Sequence, residues 1–296
     1  MKKHLMALLL LVSLLCTVLS GCGDGSAEQT PEDRAQANTI NVGIAQDLDE
    51  SLDPHKTVKA GTREVMFNVF EGLMKPTSNG DLTPAVAESY TVSDDHRTYT
   101  FTLREGVKFH NGDAVTAEDV IYSIKRCADN EGSAIDSSLV SAFSVISDVQ
   151  ATDDKTVVLT LKQPDLELLN FLTAAIVPAN YDKLDTEPCG TGPFKFSSRS
   201  VKENFVIEKF DEYWGTPASL SKVTFQVYDD STALVNALQS GAVDLCSKLT
   251  SAQTAQLSDS YTILEGTMNL VQAVYLNNNA APFDNEKVRQ AISYAI

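Results

Sequence analysis

The sequence is short of basic residues, of tryptophan and of the cysteine pairings that redox or zinc chemistry needs. Lys and Arg number 23 against 40 Asp and Glu, a formal charge of −17 over 296 residues. So acidic a chain, with no basic cluster anywhere, repels phosphate backbones and anionic lipid heads, which excludes nucleic-acid binding. After the N-terminus no apolar run reaches the roughly 20 residues of a transmembrane helix, which excludes a membrane-spanning body. There is no Cys-x-x-Cys, so a zinc or iron–sulfur cluster is not expected. Gly-x-Ser-x-Gly and His-Glu-x-x-His are both missing. The abundant carboxylates fall in turns and at helix starts, with no spacing that singles out an acid and a base. A secreted hydrolase is therefore the rival class, without a motif to support it. What remains is an ordinary globular composition, 43% hydrophobic and 21% charged, at a length that suggests about two domains.

The N-terminus sets the compartment. Met1-Lys-Lys-His4 is a basic start, Leu5 to Leu19 is almost unbroken apolar chain, and Leu19-Ser20-Gly21-Cys22 follows directly. This is the three-part form of a secretory signal, and its last four residues resemble a bacterial lipobox, in which the cysteine is acylated and becomes the first mature residue. The expectation is a lipoprotein signal peptide over 1–21, lipidation at Cys22, and an extracytoplasmic, membrane-anchored protein, because diacylglycerol plus an acyl chain supplies the two hydrophobic anchors that stable attachment requires. A plain signal cleaved elsewhere, or a short membrane anchor, is the alternative. Residues 22–38 lack apolar periodicity and are expected to form a solvated tether. Cys16 lies in the signal, which leaves Cys127, Cys189 and Cys246, an odd number in a disulfide-permissive compartment. Buried thiols are the preferred reading, with one disulfide as the alternative.

From Thr39 the pattern alternates between strand and helix. Thr39 to Ala45 reads as a strand, followed by the loop formers Asp47 to His55. A helix is expected from about Thr62 to the neighbourhood of Gly72, with Val65, Met66, Val69, Phe70 and Leu73 on one face. Thr98 to Arg104 is a strand, Val107-Lys-Phe109 a second short one, and Thr116-Ala-Glu-Asp119 an N-cap that opens a helix with Val120, Ile121, Ile124 and Cys127 on its apolar stripe. Ser144 to Gln150 and Lys155 to Leu161 read as a strand pair, and Leu166 to Ala175 as a buried helix. Phe205 to Phe210, Lys222 to Val227 and Val243 to Leu245 are strands, with a helix over Thr232 to Gln239 that stops at Gly241. Strand–helix–strand in this order argues for a mixed α/β sheet. Gly190-Thr-Gly192 is not a nucleotide loop, since Pro193 follows and no helix starts there. No cofactor and no metal site is implied: His55 reads as structural, and His96 and His110 sit in turns elsewhere.

Several passages together carry a family pattern. Glu71-Gly-Leu73, Gly80-Asp-Leu-Thr-Pro-Ala-Val-Ala-Glu-Ser89, the segment from Ser93 to Asp113, Thr116-Ala-Glu-Asp-Val120 and Gly190-Thr-Gly-Pro-Phe194 resemble the family 5 extracellular solute-binding proteins, receptor subunits of ABC importers for peptides, nickel and related solutes. Tyr213-Trp214, Ala237 to Asp244, Asn277, Pro282-Phe283-Asp284 and Val288 to Ile292 extend the resemblance in order to the last residue. It implies an α/β, periplasmic-binding-protein-like two-lobe fold (type II) with an extra subdomain. Carried over, 39–75 with 189–274 is lobe I, 76–188 the extra subdomain, and 275–296 the start of lobe II, most of which is missing. The stripe Val288, Ala291, Ile292, Ala295 and Ile296 runs to the last residue, so the chain reads as C-terminally truncated, and a truncated receptor would bind weakly or not at all. The resemblance also implies the partners: a short peptide, with nickel or another small solute as the alternative, and a permease–ATPase complex reached from a lipid anchor by a monomer that closes over its ligand. A non-functional fragment is a further alternative. The candidate ligand contacts are Val58, Lys59 and Ala60, in the cleft-lining loop after Asp53-Pro54-His55, and Tyr275 at the lobe crossover. Their bland alternatives are a surface loop and a sheet tyrosine.

Overall fold

A computed structural model of the protein describes residues 30–128, 135–257, 260–266 and 273–295. The expected signal over 1–21, Cys16, the lipidation residue Cys22 and the tether as far as residue 29 lie outside the described residues. The rest of that tether departs from the expectation. Helix α1 (Pro31–Gln36) opens with a capping box, in which the Thr30 and Asp33 side chains each accept from the other residue's backbone N–H. Arg34 on it is only 1% exposed. Its Nε and Nη2 donate to the two carboxylate oxygens of Asp244, both at 2.7 Å, and Nη2 also donates to the Gly241 carbonyl. A bidentate pair of this kind anchors a segment that has no apolar face, and hydropathy cannot detect it.

The chain divides into two compact units between Thr250 and Ser251. In the first, strand β1 (Thr39–Ile44) is followed by an irregular loop, helix α2 (Ala60–Met66) and the hairpin of β2 (Met74–Pro76) and β3 (Leu82–Pro84). Next come β4 (Ala87–Val92), β5 (Thr98–Leu103), helices α3 (Ala117–Ala128) and α4 (Ser137–Phe143), β6 (Ile146–Asp153), β7 (Thr156–Leu161) and the short helix α5 (Leu168–Phe171). The unit then continues through β8 (Phe194–Ser200), β9 (Asn204–Lys209), β10 (Lys222–Val227), helix α6 (Ser231–Ser240) and β11 (Leu245–Cys246).

Besides the β2–β3 hairpin, two larger sheets form among the described residues, and each follows from its pattern. The four-stranded sheet has the order β4-β5-β7-β6 and is antiparallel throughout. Tyr99, Phe101 and Leu103 alternate inward on β5 and Val157, Leu159 and Leu161 on β7, with Tyr99 opposite Leu159 and Phe101 opposite Val157. They share one core with Val120, Ile124 and Cys127 of α3. Each fully buried Phe or Leu there contributes about 1.5–3 kcal/mol. The Thr116 cap forms as expected, with its hydroxyl and backbone N–H both bonded to the Asp119 carboxylate. Val107 to Phe109 makes only a single bridge, Lys108 to Ala114.

The five-stranded sheet has the order β11-β1-β10-β9-β8. β1 lies parallel between β10 and β11, so the β10–α6–β11 unit crosses over it. Asp230 caps α6 by accepting from the Thr232 and Ala233 N–H groups, and Gly241 ends it at φ 77°, a left-handed conformation suited to glycine.

Between the two sheets the backbone itself is the packing surface, and two helix expectations are corrected there. α2 ends at Met66, not near Gly72, because the chain beyond it is needed for pairing: Gly192 and Phe194 donate to the Val69 and Asn68 carbonyls, and Ile176 donates to Glu71. Leu166 to Ala175 is helical for only four residues, and Leu166 is 70% exposed. The Leu172 carbonyl accepts from Met74 N–H instead of continuing a helix. A Cβ on Gly190 would meet the Val69 carbonyl oxygen at 2.2 Å, and one on Gly72 the Leu172 carbonyl oxygen at 2.4 Å. These glycines mark close backbone approach, and Gly72 is not a helix stop. Cys127, Cys189 and Cys246 are all free thiols. Burial pushes Cys127 up to about 12 and Cys246 up to about 11, which keeps both protonated and unreactive at neutral pH.

The second unit is described from Ser251 onward. It holds helices α7 (Ser251–Thr254) and α8 (Glu286–Ala295), neither with a buried residue. Asn285 starts α8, its carboxamide oxygen accepting from Lys287 N–H, while Arg289 donates to the Phe283 carbonyl. Among the described residues no helix is long and apolar enough to cross a membrane.

Candidate functional site

The loop from Ala45 to Lys59 leaves the end of β1 and returns to the start of α2. It has no regular structure, so side chains and carbonyls hold it. Arg199 on β8 donates to the Asp49 and Leu48 carbonyls at 2.9 and 3.3 Å, and Asp47 accepts from Lys202 N–H. The Asp49 carboxylate accepts from the backbone N–H groups of Val58 and Lys59, at 3.2 and 3.0 Å. The Lys59 ammonium turns back onto the Leu48 and Asp47 carbonyls, at 3.3 and 3.4 Å. Of the three loop residues singled out by sequence, Val58 is 65% exposed and Ala60 is exposed, whereas Lys59 is half-buried with its charge committed to the loop. Tyr275 belongs to the second unit, lies outside any described strand, and is 94% exposed.

Beneath this loop sits a buried polar knot, of which the sequence reading named only His55, as structural. Asp53 and His55 are both fully buried. Arg126, near the end of α3, pairs with both Asp53 carboxylate oxygens. Its Nη1 also lies 3.1 Å from His55 Nδ1. A guanidinium can only donate, so Nδ1 accepts, and Nε2 carries the proton that it donates to the Ala175 carbonyl at 2.8 Å. His55 is therefore neutral, its pKa lowered to about 4 by burial first and by the Arg126 charge second. His110 is held in the same way: Nε2 donates to the Gly192 carbonyl, Nδ1 accepts from Gly190 N–H, and burial lowers it to about 4. With both ring nitrogens occupied, neither imidazole offers a lone pair to a metal.

A cavity of about 350 Å³ adjoins the loop, lined among others by Pro54, Thr57, Arg63, Phe67, Asn170 and Phe171. Arg63 frames it, with Nε donating to the Thr57 carbonyl at 3.0 Å and Nη2 paired with Asp136. Phe67 stands 56% exposed at its edge and also borders a neighbouring hollow of about 250 Å³. Glu71 lines that hollow and accepts from Tyr213 Oη and Trp214 Nε1, both at 2.7 Å, and from Lys75. Trp214 takes both Lys75 and Arg104 against its ring, their cationic groups 4.7 and 4.4 Å from its centre. A larger, open groove of about 900 Å³ lies at the end of the four-stranded sheet, lined by Glu105, Glu118, Asp153 and Asp154 together with Arg104 and Lys155, and without an aromatic side chain. Volume alone would favour it; the convergence of exposed aromatic, apolar and fixed polar groups favours the loop cavity.

Sequence reasoning did not single out Arg63, Phe67, Phe171 or Arg126, because none of them stands in a motif and the topology alone brings them to the loop. Ser219-Leu220-Ser221-Lys222 has the Ser-x-x-Lys spacing of a nucleophile and its base. Lys222 opens strand β10, however, so no helix face brings the two side chains together.

The profile of the bacterial extracellular solute-binding proteins, family 5 Middle, matches residues 81–296. The glutathione-binding protein GsiB of Escherichia coli (strain K12) is 33% identical over 258 residues, which cover 83% of this chain and 50% of that protein. Among solved structures, the periplasmic binding protein DppA from Helicobacter pylori in complex with peptide STSA is 27% identical, with a TM-score of 0.68 over 74% of this chain and 48% of that one. NikZ from Campylobacter jejuni in complex with Ni(L-His) has a TM-score of 0.78 at 23% identity, covering 88% of this chain and 53% of that one; this likeness concerns the fold alone. The chain spans about half the length of the curated relatives it matches.

Proposed function

The chain belongs to the family 5 bacterial extracellular solute-binding proteins, and from that membership we propose that it serves as the receptor of an ABC importer, binding short peptides and handing them to a permease. The supporting observation is the Val58–Lys59–Ala60 loop. Its backbone is pinned by Asp49, the turn before it is fixed by Asp53 and Arg126, and Pro54 and Thr57 of that turn line a cavity with exposed Phe67 and Phe171. A ligand surface needs this combination of rigid support and open face, because a loop ordered in advance loses little entropy on binding. The relatives support a peptide: glutathione, named for GsiB, is a tripeptide, and DppA is seen with a four-residue peptide. In this reading 39–75 with 189–274 is lobe I, 76–188 its extra subdomain and 275–296 the start of lobe II, with Tyr275 at the crossover. Cys22 carries the lipid that keeps the receptor beside its importer, and the protein works as a monomer without catalysis.

The test is a thermal-shift and calorimetric titration with reduced glutathione, di- to tetrapeptides and Ni(L-His), using protein purified from cells that express its gene at natural length. Saturable stabilisation by peptides is expected. Stabilisation by Ni(L-His) alone would move the ligand class to metal chelates, and peptide hydrolysis without any shift would overturn the receptor reading. Radiolabelled palmitate incorporated by wild type and not by Cys22→Ala checks the anchor.

A further inference from the structure

We propose that Arg126 is the positioning residue of the Val58–Lys59–Ala60 loop: from helix α3 it holds the turn that delivers this loop to solvent. The proposal rests on the reading of that loop as ligand-contacting, and the mechanics rest on geometry alone.

The turn is wound on Asp53. Its carbonyl accepts from the N–H groups of Lys56 and Thr57 at 3.0 and 3.1 Å, and its carboxylate accepts from His55 N–H at 3.0 Å. These bonds set the direction in which the chain emerges at Val58. The carboxylate at the centre is fully buried, and Arg126 is its bidentate partner. Lys56 lies 3.7 Å from the same carboxylate, but its ammonium is committed to Asp185 at 2.9 and 3.0 Å. Without the guanidinium, Asp53 would have to bind a proton or move toward water, and either change undoes the turn. Arg126 also donates to His55 Nδ1, which leaves Nε2 as the donor that ties the loop to Ala175. One planar fork thus serves three acceptors on two residues of the loop. A lysine ammonium is a point charge and cannot reproduce that arrangement. Arg126 also belongs to the element that packs on the four-stranded sheet, whereas the loop springs from the five-stranded one. The ion pair is therefore a long-range clamp across 73 residues of sequence. It gives the stretch around the four-stranded sheet a task at the binding surface: it supplies the fixed point from which the loop is aimed.

The experiment compares wild type, Arg126→Lys, Arg126→Gln and the control Val157→Ala, which removes apolar packing from the four-stranded sheet. Hydrogen exchange of the amides of 55–59 is read together with the affinity for reduced glutathione and trialanine. Exchange at these five amides should rise by roughly tenfold or more in Arg126→Gln and less in Arg126→Lys, while Val157→Ala loosens its own sheet and leaves the loop protected. Peptide affinity should fall in the same order, with Val157→Ala close to wild type. Unchanged loop exchange in Arg126→Gln overturns the proposal whatever happens to binding. So does a loosened loop in a variant that binds peptide as tightly as wild type. If wild type binds neither peptide, the receptor reading fails, and the exchange data still decide whether Arg126 holds the loop. The 15N shifts of the His55 ring give an independent reading: the Nε2–H form in wild type, lost in Arg126→Gln.

Discussion

Around the four-stranded sheet the buried side chains are Tyr99, Phe101, Leu103, Val157, Leu159 and Leu161, facing Val120 and Ile124 of α3. Around the loop and the junction between the sheets, Asp53, His55, Thr57, Thr62, Glu71 and Thr191 are buried as well. The first region is stabilised by area removed from water, which is tolerant in detail and demanding in volume. The second depends on directed bonds between groups far apart in sequence, each costly if one partner is lost. Polar burial is concentrated where the backbone must be held in an irregular shape, and that shape carries the candidate binding surface.

Three changes should separate the two regions, beginning with the largest. Phe101→Ala should cost about 3–5 kcal/mol in urea unfolding while leaving hydrogen exchange of the 55–59 amides unaltered. A loop that loosened with it would mean the two regions are one cooperative structure.

Acid should act in the opposite way, on the polar region first. His55 and His110 have pKa values lowered to about 4 in the folded protein, below the ordinary 6.5 of an unfolded chain. The unfolded state therefore takes up protons that the native state refuses. The contribution is complete above pH 6.5 and is lost as pH falls from there toward 4, on the order of a few kcal/mol for the pair. Urea midpoints between pH 8 and 4 should show this slope, and a His55→Asn, His110→Asn double variant should be flatter over the same window.

The smallest effect should come from Gly190→Ala, at about 1–3 kcal/mol, because the added methyl meets the Val69 carbonyl oxygen and the backbone has to shift. A stability equal to wild type would show that the two strands of chain are not in close contact there.

These same contrasts explain what could be read from the sequence. Alternation on β5 and β7, the Thr116–Asp119 cap and the Asp230 to Gly241 limits of α6 are local signals, each complete within a few residues. The loop after Asp53-Pro54-His55 was visible through family resemblance. What holds the loop was not visible. Arg126 stands on the polar side of an amphipathic pattern and looks like a solvated cation until the fold brings Asp53 to it. Arg34 is a similar case, with its partner Asp244 lying 210 residues away. The helices expected over Thr62–Gly72 and Leu166–Ala175 fell short for a related reason: Val65, Met66, Val69, Phe70, Leu168 and Leu172 are buried, but the backbones pair with each other and with Gly192 and Phe194.

The most direct test of the account is to follow backbone amide shifts in the NMR spectrum while short peptides are titrated in. The amides of 57–60 and the neighbours of Phe67 should move together and saturate, while the amides of β5 and β7 stay in place. Shifts confined to the open groove at Glu105, Glu118 and Asp153, or none with any peptide, would contradict the assignment of the loop as the ligand surface.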